Sequence, residues 1–517
     1  MDNKLTKKYG LFTAICLVVG TVIGSGVFFK AEKILIATEG NMWLSILSWA
    51  IGGAVMIICS YVFSTLSSRT EVKANGVVDY AEDALGEKYG YFVGWFFAST
   101  YYPTLTVVLA WLTARYSCVL FGWSIAGGEC MVLTAFFLIL SYAINTLSPI
   151  IAGKAQVSTT IVKLVPLVLM AVVGLIWGLV KGSTQENFSS TIEKVGDVFV
   201  MRSGTAVSDP VKAVFSAVCA TAFAYEGWII CTSINAELKH EKHLRQALVL
   251  GSLIVVGIYV CYYIGLAGGI DSATMANGGQ AAVKTAFSAV FGKAMGTVLF
   301  VFIIISCFGT LNGLMLGCCR GCYSIAVRNR GLKPEILSQV DRRTNMPTNS
   351  SVVGLLLCIT WFVYFCGTKS GLGFSHGSGA PWFGKFDFDM SELPILTTYP
   401  LYIPIFVVMI KRGVKAEGAL KSFSGFMQNL LMPILAILGS LFMVVATVYS
   451  HKTECVWYLI AFAVIMLLSL LPLAAKKLSK KDMLILQKRD MTFWHWHLSQ
   501  VLKTRKLHGL MNNQSFF

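Results

Sequence analysis

Twelve stretches of the chain are each apolar for about the length of a bilayer crossing, at roughly 10–36, 41–67, 91–120, 130–148, 155–181, 211–238, 246–270, 285–327, 350–367, 389–410, 427–449 and 455–475. About 20 such residues in a helix cross ~30 Å of hydrocarbon. No water is available there to satisfy backbone N–H and C=O groups, and a helix pairs them internally. The fold class expected is therefore an all-α polytopic membrane protein with about 12 transmembrane helices. No long soluble domain interrupts the runs; the largest links fall at about 182–210, 271–284, 328–349 and 368–388. Composition agrees, with 13% charged residues against about 25% in a soluble domain. A disordered chain, a coiled coil and a water-soluble enzyme are excluded. The first run begins near Gly10 and is too long for the apolar core of a cleavable leader.

Charge sets the expected orientation. The formal net charge is +16, and 29 of the 42 lysines and arginines fall on the side of the two termini if twelve spans alternate. Cationic loops face the cytoplasm, so both termini are expected there, in a cell membrane of bacterial type. The basic balance then needs no nucleic acid. The tail from Lys476 carries WHWHL, whose His495 and His497 read as part of an interfacial segment with aromatic anchors. The 14 cysteines sit mostly within apolar runs, as at Cys16, Cys59, Cys219 and Cys261. Cys318, Cys319 and Cys322 give one CxxC spacing without a second pair, so no metal site is expected.

Two spans contain breaks that a plain anchor helix avoids. GTVIGSGVFF places Gly20, Gly24, Ser25 and Gly26 near the middle of the first run. Glycines this close weaken a helix and admit a ligand to the backbone, and a substrate carboxylate suits a half-helix N-terminus. Close packing through small residues is the competing explanation. AFAYEGWII supplies the second break, with Gly227 after Glu226 and between Tyr225 and Trp228. The breaks are five spans apart, as two inverted five-helix halves require. Lys163, in TTIVKLVPL, and Glu226 are the charges read as lying well inside apolar runs, with Arg115 and Arg320 nearer span ends. Ionisable groups at that depth mark function by default; a satisfied structural ion in a wet cavity is the plainer alternative.

These motifs, together with KLVPL and ISCFGTLNG, resemble the amino acid–polyamine–organocation transporters. The likeness is to the L-type branch and its bacterial serine/threonine-exchanger-like relatives, from about Lys7 to Ala475. ANGVVDYAEDALGEKYGYFVGW is similar to that family's link between spans two and three, with Asn75 where glycine is commoner. INAELKHEKHLRQAL departs at His240 and Glu241, where Asn-Pro is usual. The resemblance implies the leucine-transporter fold, with broken helices 1 and 6 and two peripheral helices. Its parts would be a short N-terminus (1–9), a core of two inverted repeats (about 10–181 and 211–410), peripheral helices (411–475) and a basic tail (476–517).

The resemblance also implies a site. Backbone at Val22, Ile23, Gly24, Ser25 and Gly26 would surround the substrate, with Ser25 and Gly26 holding its carboxylate. Carbonyls near Val22, Phe223 and Glu226 would take its ammonium, and Phe223 would cover the pocket from outside. Ala224, Tyr225, Gly227 and Trp228 complete the second break. Ser306 and Asn312 face the pocket in some relatives, while Tyr102 and Pro103 match only loosely. Lys163 matches the ammonium that sodium-independent relatives place beside the first break.

The function expected is secondary active transport of an α-amino acid, as a permease or exchanger, by alternating access and without sodium. A neutral substrate leads; a cationic amino acid or polyamine antiporter is the alternative, and a transport-dead amino acid sensor is the alternative of another class. An intramembrane enzyme would need paired catalytic residues within the spans, whereas the seven histidines read as loop or tail residues. A channel would need a pore-lining ring of charge. Glu226 has three readings: it pairs with a cationic side chain, it carries a proton, or it bonds a substrate hydroxyl or orients Tyr225. The partners expected are an amino acid and the lipid bilayer, with no cofactor and no nucleic acid; no extramembrane dimerisation element is visible.

Overall fold

Long apolar runs become helices wherever glycine, proline or a capping side chain does not stop them. A computed structural model describes residues 9–473 apart from 71–75, 126, 148, 241, 372–380 and 417–419. The tail 476–517, with His495 and His497, lies outside the described residues. Among those residues, eleven helices are long and apolar enough to cross a membrane, and the bent pair Leu11–Val22 and Gly26–Ala37 makes a twelfth, first span. The second to sixth spans are Met42–Ser67, Glu87–Phe121, Gly128–Leu147, Val157–Lys181 and Pro210–Thr232. The seventh to twelfth are Lys242–Gly269, Lys293–Ala326, Thr348–Cys366, Pro394–Lys415, Phe423–His451 and Thr453–Leu473.

Local signals explain the ends. Asn41 caps the second span by accepting from the Leu44 N–H at 3.0 Å. Asp209 does the same for Lys212 at 3.0 Å, with Pro210 as the first residue of the sixth span. The apolar run expected from 285 is two helices, because Gly292 at φ 81° turns the chain between Gln280–Phe291 and the eighth span. The tenth span starts at Pro394 rather than near 389. In the link after the fifth span, strands β1 (Ser190–Val195) and β2 (Val198–Ser203) form an antiparallel hairpin pairing Val195 with Val198. It is tied to the end of the first span by Ile192 N–H donating to Glu39 O at 2.7 Å.

The third span carries a π-turn at Phe97–Tyr101. Pro103 has no N–H, so the Ser99 carbonyl four residues back is left free; Trp361 of the ninth span donates to it at 2.7 Å. The third and sixth spans are 78% buried within the protein, the eleventh 33% and the twelfth 22%. The third span and the broken sixth therefore lie at the centre, and the twelfth is the least enclosed of the eleven unbent spans. Side chains such as Val132, Leu147, Val180 and Leu471 stay exposed on the outer faces, as a bundle surrounded by lipid requires.

Candidate functional site

The two breaks meet. In the first, the helix ends at Val22, Ile23 is extended at φ −70° and ψ 104°, and the helix restarts at Gly26 after a 41° bend. Phe28 and Phe29 donate back to Ser25 O at 3.1 and 2.7 Å. The leading N–H groups of the restarted helix have no partner within it, and its dipole is positive at that end. Ser25 Oγ is buried without a hydrogen-bond partner, which is unusual for a buried hydroxyl unless a ligand completes it. In the sixth span the helix stops at Tyr225, Glu226 is extended at ψ 162°, and Gly227 has φ 103°.

Both breaks require glycine where they touch. A Cβ on Gly227 would stand 2.5 Å from Thr21 O, on backbone already in a region that other residues avoid. A Cβ on Gly26 would stand 2.5 Å from Ala224 Cα. These contacts lock the first and sixth spans together at mid-membrane.

Carbonyls freed by the first break are taken up by neighbouring spans. Lys163 Nζ, fully buried, donates to Gly20 O and to Thr310 Oγ1, the latter at 2.8 Å. Thr310 Oγ1 in turn reaches Ile23 O at 2.9 Å, and Tyr259 OH bridges Val22 O and Ala224 O at 3.0 and 3.1 Å. Among the described residues no carboxylate lies within 4.0 Å of Lys163. Its polar contacts are to neutral oxygens instead. Glu226 is half-buried, and its Oε2 accepts from Tyr101 OH at 2.5 Å. Tyr101 belongs to the π-turn of the third span.

A cavity of about 20 Å³ lies at the junction, room for about one water molecule. An amino acid enters only when the walls part. Of the residues anticipated from sequence, Val22, Gly24, Ser25, Gly26, Phe223, Glu226 and Gly227 line it. Ile23, Ala224, Tyr225 and Trp228 lie behind it: Tyr225 OH donates to Trp49 O at 2.9 Å, and Trp228 packs edge-on to Phe63 at 5.5 Å. Ser306 Oγ reaches Gly24 O at 3.4 Å but is not part of the lining. Asn312 is turned away to the fourth span, where Asn145 Nδ2 donates to its Oδ1 at 2.8 Å. Thr310 lines the cavity in its place. Helical phase is the reason: Ser306 and Thr310 are four residues apart on one face, whereas Asn312 is rotated by about 200° from Thr310. Leu105, Leu109 and Leu314 form the apolar wall.

A second buried charge cluster escaped the sequence reading. Lys30 and Glu392 are 1% and 0% exposed, and their side chains meet at 2.5 Å. Lys33 Nζ lies 2.6 Å from the same Glu392 oxygen, and His451 Nε2 lies 3.3 Å from the other. Lys163 and Glu226 are thus not the sole deep charges, and His451 ends the eleventh span instead of sitting in a loop. Lys30 Nζ is 5.1 Å from the Phe223 ring centre, so this cluster joins the first span, the turn that leads into the tenth and the end of the eleventh beside the proposed cover. Cys219, Glu392 and His451 offer atoms within 4.8 Å of one another. Two ammonium groups already occupy Glu392, however, and their charge opposes a metal cation.

Two broken helices joined at the centre of a twelve-span bundle are the arrangement of a membrane transporter. The fold is that of the leucine transporter: the crystal structure of MhsT in complex with L-phenylalanine aligns with a TM-score of 0.56 and 13% identity, over 86% of this chain and 100% of that one. The chain belongs to the amino acid permease family, whose model matches residues 9–471. It is 29% identical over 455 residues to the serine/threonine exchanger SteT of Bacillus subtilis (strain 168), covering 88% of this chain and 94% of the relative. The human cystine/glutamate transporter is 25% identical over 71% of this chain and 70% of its own length. The mouse b(0,+)-type amino acid transporter 1 is 25% identical over 79% and 82%. The protein is a multi-pass membrane transporter of amino acids, not an enzyme.

Proposed function

We propose that the protein carries a neutral α-amino acid across the membrane by alternating access, without sodium, by exchange or with protons. The observation that carries this reading is the set of complementary groups at the junction. Unpaired N–H groups at the Gly26 helix start and the unpartnered Ser25 hydroxyl suit a carboxylate. The carbonyls of the break suit an ammonium. Apolar walls from Leu105, Leu109 and Leu314 suit a small uncharged side chain, and the likeness to a serine/threonine exchanger points the same way. Lys163 supports sodium independence, because it holds the Gly20 oxygen and brings a fixed positive charge to the region a sodium ion would need. The orientation we propose has both termini in the cytoplasm of a bacterial plasma membrane, with a ten-helix core over about 10–410 and peripheral helices over 411–475.

One observation favours a second reading: the Glu226 carboxylate lines the cavity and could pair with a cationic substrate. Glu226→Gln separates the two in uptake by reconstituted protein. Neutral uptake that survives, with any pH dependence lost, assigns Glu226 to proton transfer. Selective loss of lysine and arginine uptake assigns it to substrate charge. No change for any substrate removes Glu226 from the site.

A further inference from the structure

Away from the junction, an apolar cavity of about 320 Å³ opens on the side where the third span begins and the eighth ends. Trp95, Cys322, Ile325 and Val353 wall it from three spans, and Leu332 and Ile336 from the link after the eighth span close its base. Its wall is fixed, because Trp95 Nε1 donates to Ile465 O of the twelfth span at 3.0 Å. Cys322 and Ile325 occupy the last turns of the eighth span and Val353 the second turn of the ninth. Span ends are where a bilayer's headgroups meet its hydrocarbon. An apolar space there accepts a lipid tail in preference to water.

Two cations border this space. Arg330 is paired with Glu87, whose side chain is 71% exposed. Lys333 is exposed and has no ion-pair partner among the described residues. The occupant must therefore combine an apolar chain with a negative group. The protein's own tail is the nearby competitor, since Leu473 packs against Tyr91, Ala98 and Ile325. Residues 476–517 carry nine lysines and arginines against two aspartates. Like charge at Arg330 and Lys333 disfavours that segment. We propose that this cavity is a binding site for an anionic phospholipid, with its phosphate at Arg330 and Lys333 and an acyl chain between Trp95 and Val353.

Photoactivatable phosphatidylglycerol and phosphatidylcholine, incorporated into nanodiscs with the full-length protein and mapped by peptide mass spectrometry, test this. Phosphatidylglycerol should cross-link to the segment 322–337 in excess over phosphatidylcholine, by about fivefold for each contributing cation. Lys333→Gln, which breaks no ion pair, should lower the preference by about fivefold, and adding Arg330→Gln should bring it close to one. Val353→Trp should remove cavity cross-links of both lipids. Equal labelling by the two lipids, labelling confined to other surfaces, or tail peptides cross-linked to the cavity wall in place of lipid would each overturn the proposal.

Discussion

Replacing Lys163 by alanine probes the link between the first break and ion coupling. The ammonium gives up two charge-assisted hydrogen bonds, to Gly20 O and Thr310 Oγ1, worth about 1.5–3 kcal/mol each. Against that, the fold no longer buries a cation without a carboxylate partner, a penalty of several kcal/mol. The two effects nearly cancel, so the melting temperature should shift by only a few degrees. Transport should suffer more. Gly20 O and Thr310 lose the group that fixes them, and uptake should fall at least tenfold, equivalent to ~1.4 kcal/mol of barrier. The same charge governs sodium. An ion on the Gly20 oxygen would sit about 4 Å from the ammonium, which costs ~4 kcal/mol at an effective dielectric constant of 20, about a thousandfold in affinity. Uptake into liposomes with sodium or choline outside should therefore be equal for the wild type. Wild-type uptake that needs a sodium gradient would refute the reasoning, as would a Lys163→Ala variant that transports at the normal rate.

Gly227→Ala should abolish uptake and lower thermal stability, since φ 103° alone costs about 1–3 kcal/mol before the 2.5 Å approach to Thr21 O is counted. Lys30→Met should destabilise the protein by less than the ~3 kcal/mol of an unpaired buried charge, because Glu392 loses Lys30 but keeps Lys33 at 2.6 Å and His451 at 3.3 Å. Adding Glu392→Gln should restore part of that loss in a double-mutant cycle read by thermal melting. A reporter fused after Phe517 should behave as cytoplasmic and one inserted near Ser189 as external; the reverse would invert the proposed half-helices.

Span number and the positions of both breaks were readable because each rests on local chemistry: long apolar runs, and glycines where a span should have none. Phase was readable in principle, and Thr310 follows from Ser306 once the eighth span is placed on a helical wheel. Tyr101 was not accessible in the same way. Its reach to Glu226 depends on a π-turn and on a neighbour 125 residues away, neither of which leaves a local trace. Lys30 and Glu392 were hidden for a similar reason. Each lies close to the end of an apolar stretch, where a charge normally contacts water, and tertiary packing alone buries them together across 362 positions. The proposed orientation, by contrast, rests on charge counting alone, without any packing argument.

The central claim is that the junction of the two breaks carries an amino acid through the membrane. Purified protein in liposomes preloaded with a panel of amino acids, assayed for radiolabelled serine uptake with and without sodium and proton gradients, tests it most directly. Uptake should show no sodium requirement, should be stimulated by neutral amino acids inside or by an inward proton gradient, and should be lost in Gly227→Ala. Uptake that is insensitive to every internal amino acid and to the proton gradient, or unchanged in Gly227→Ala, would contradict it.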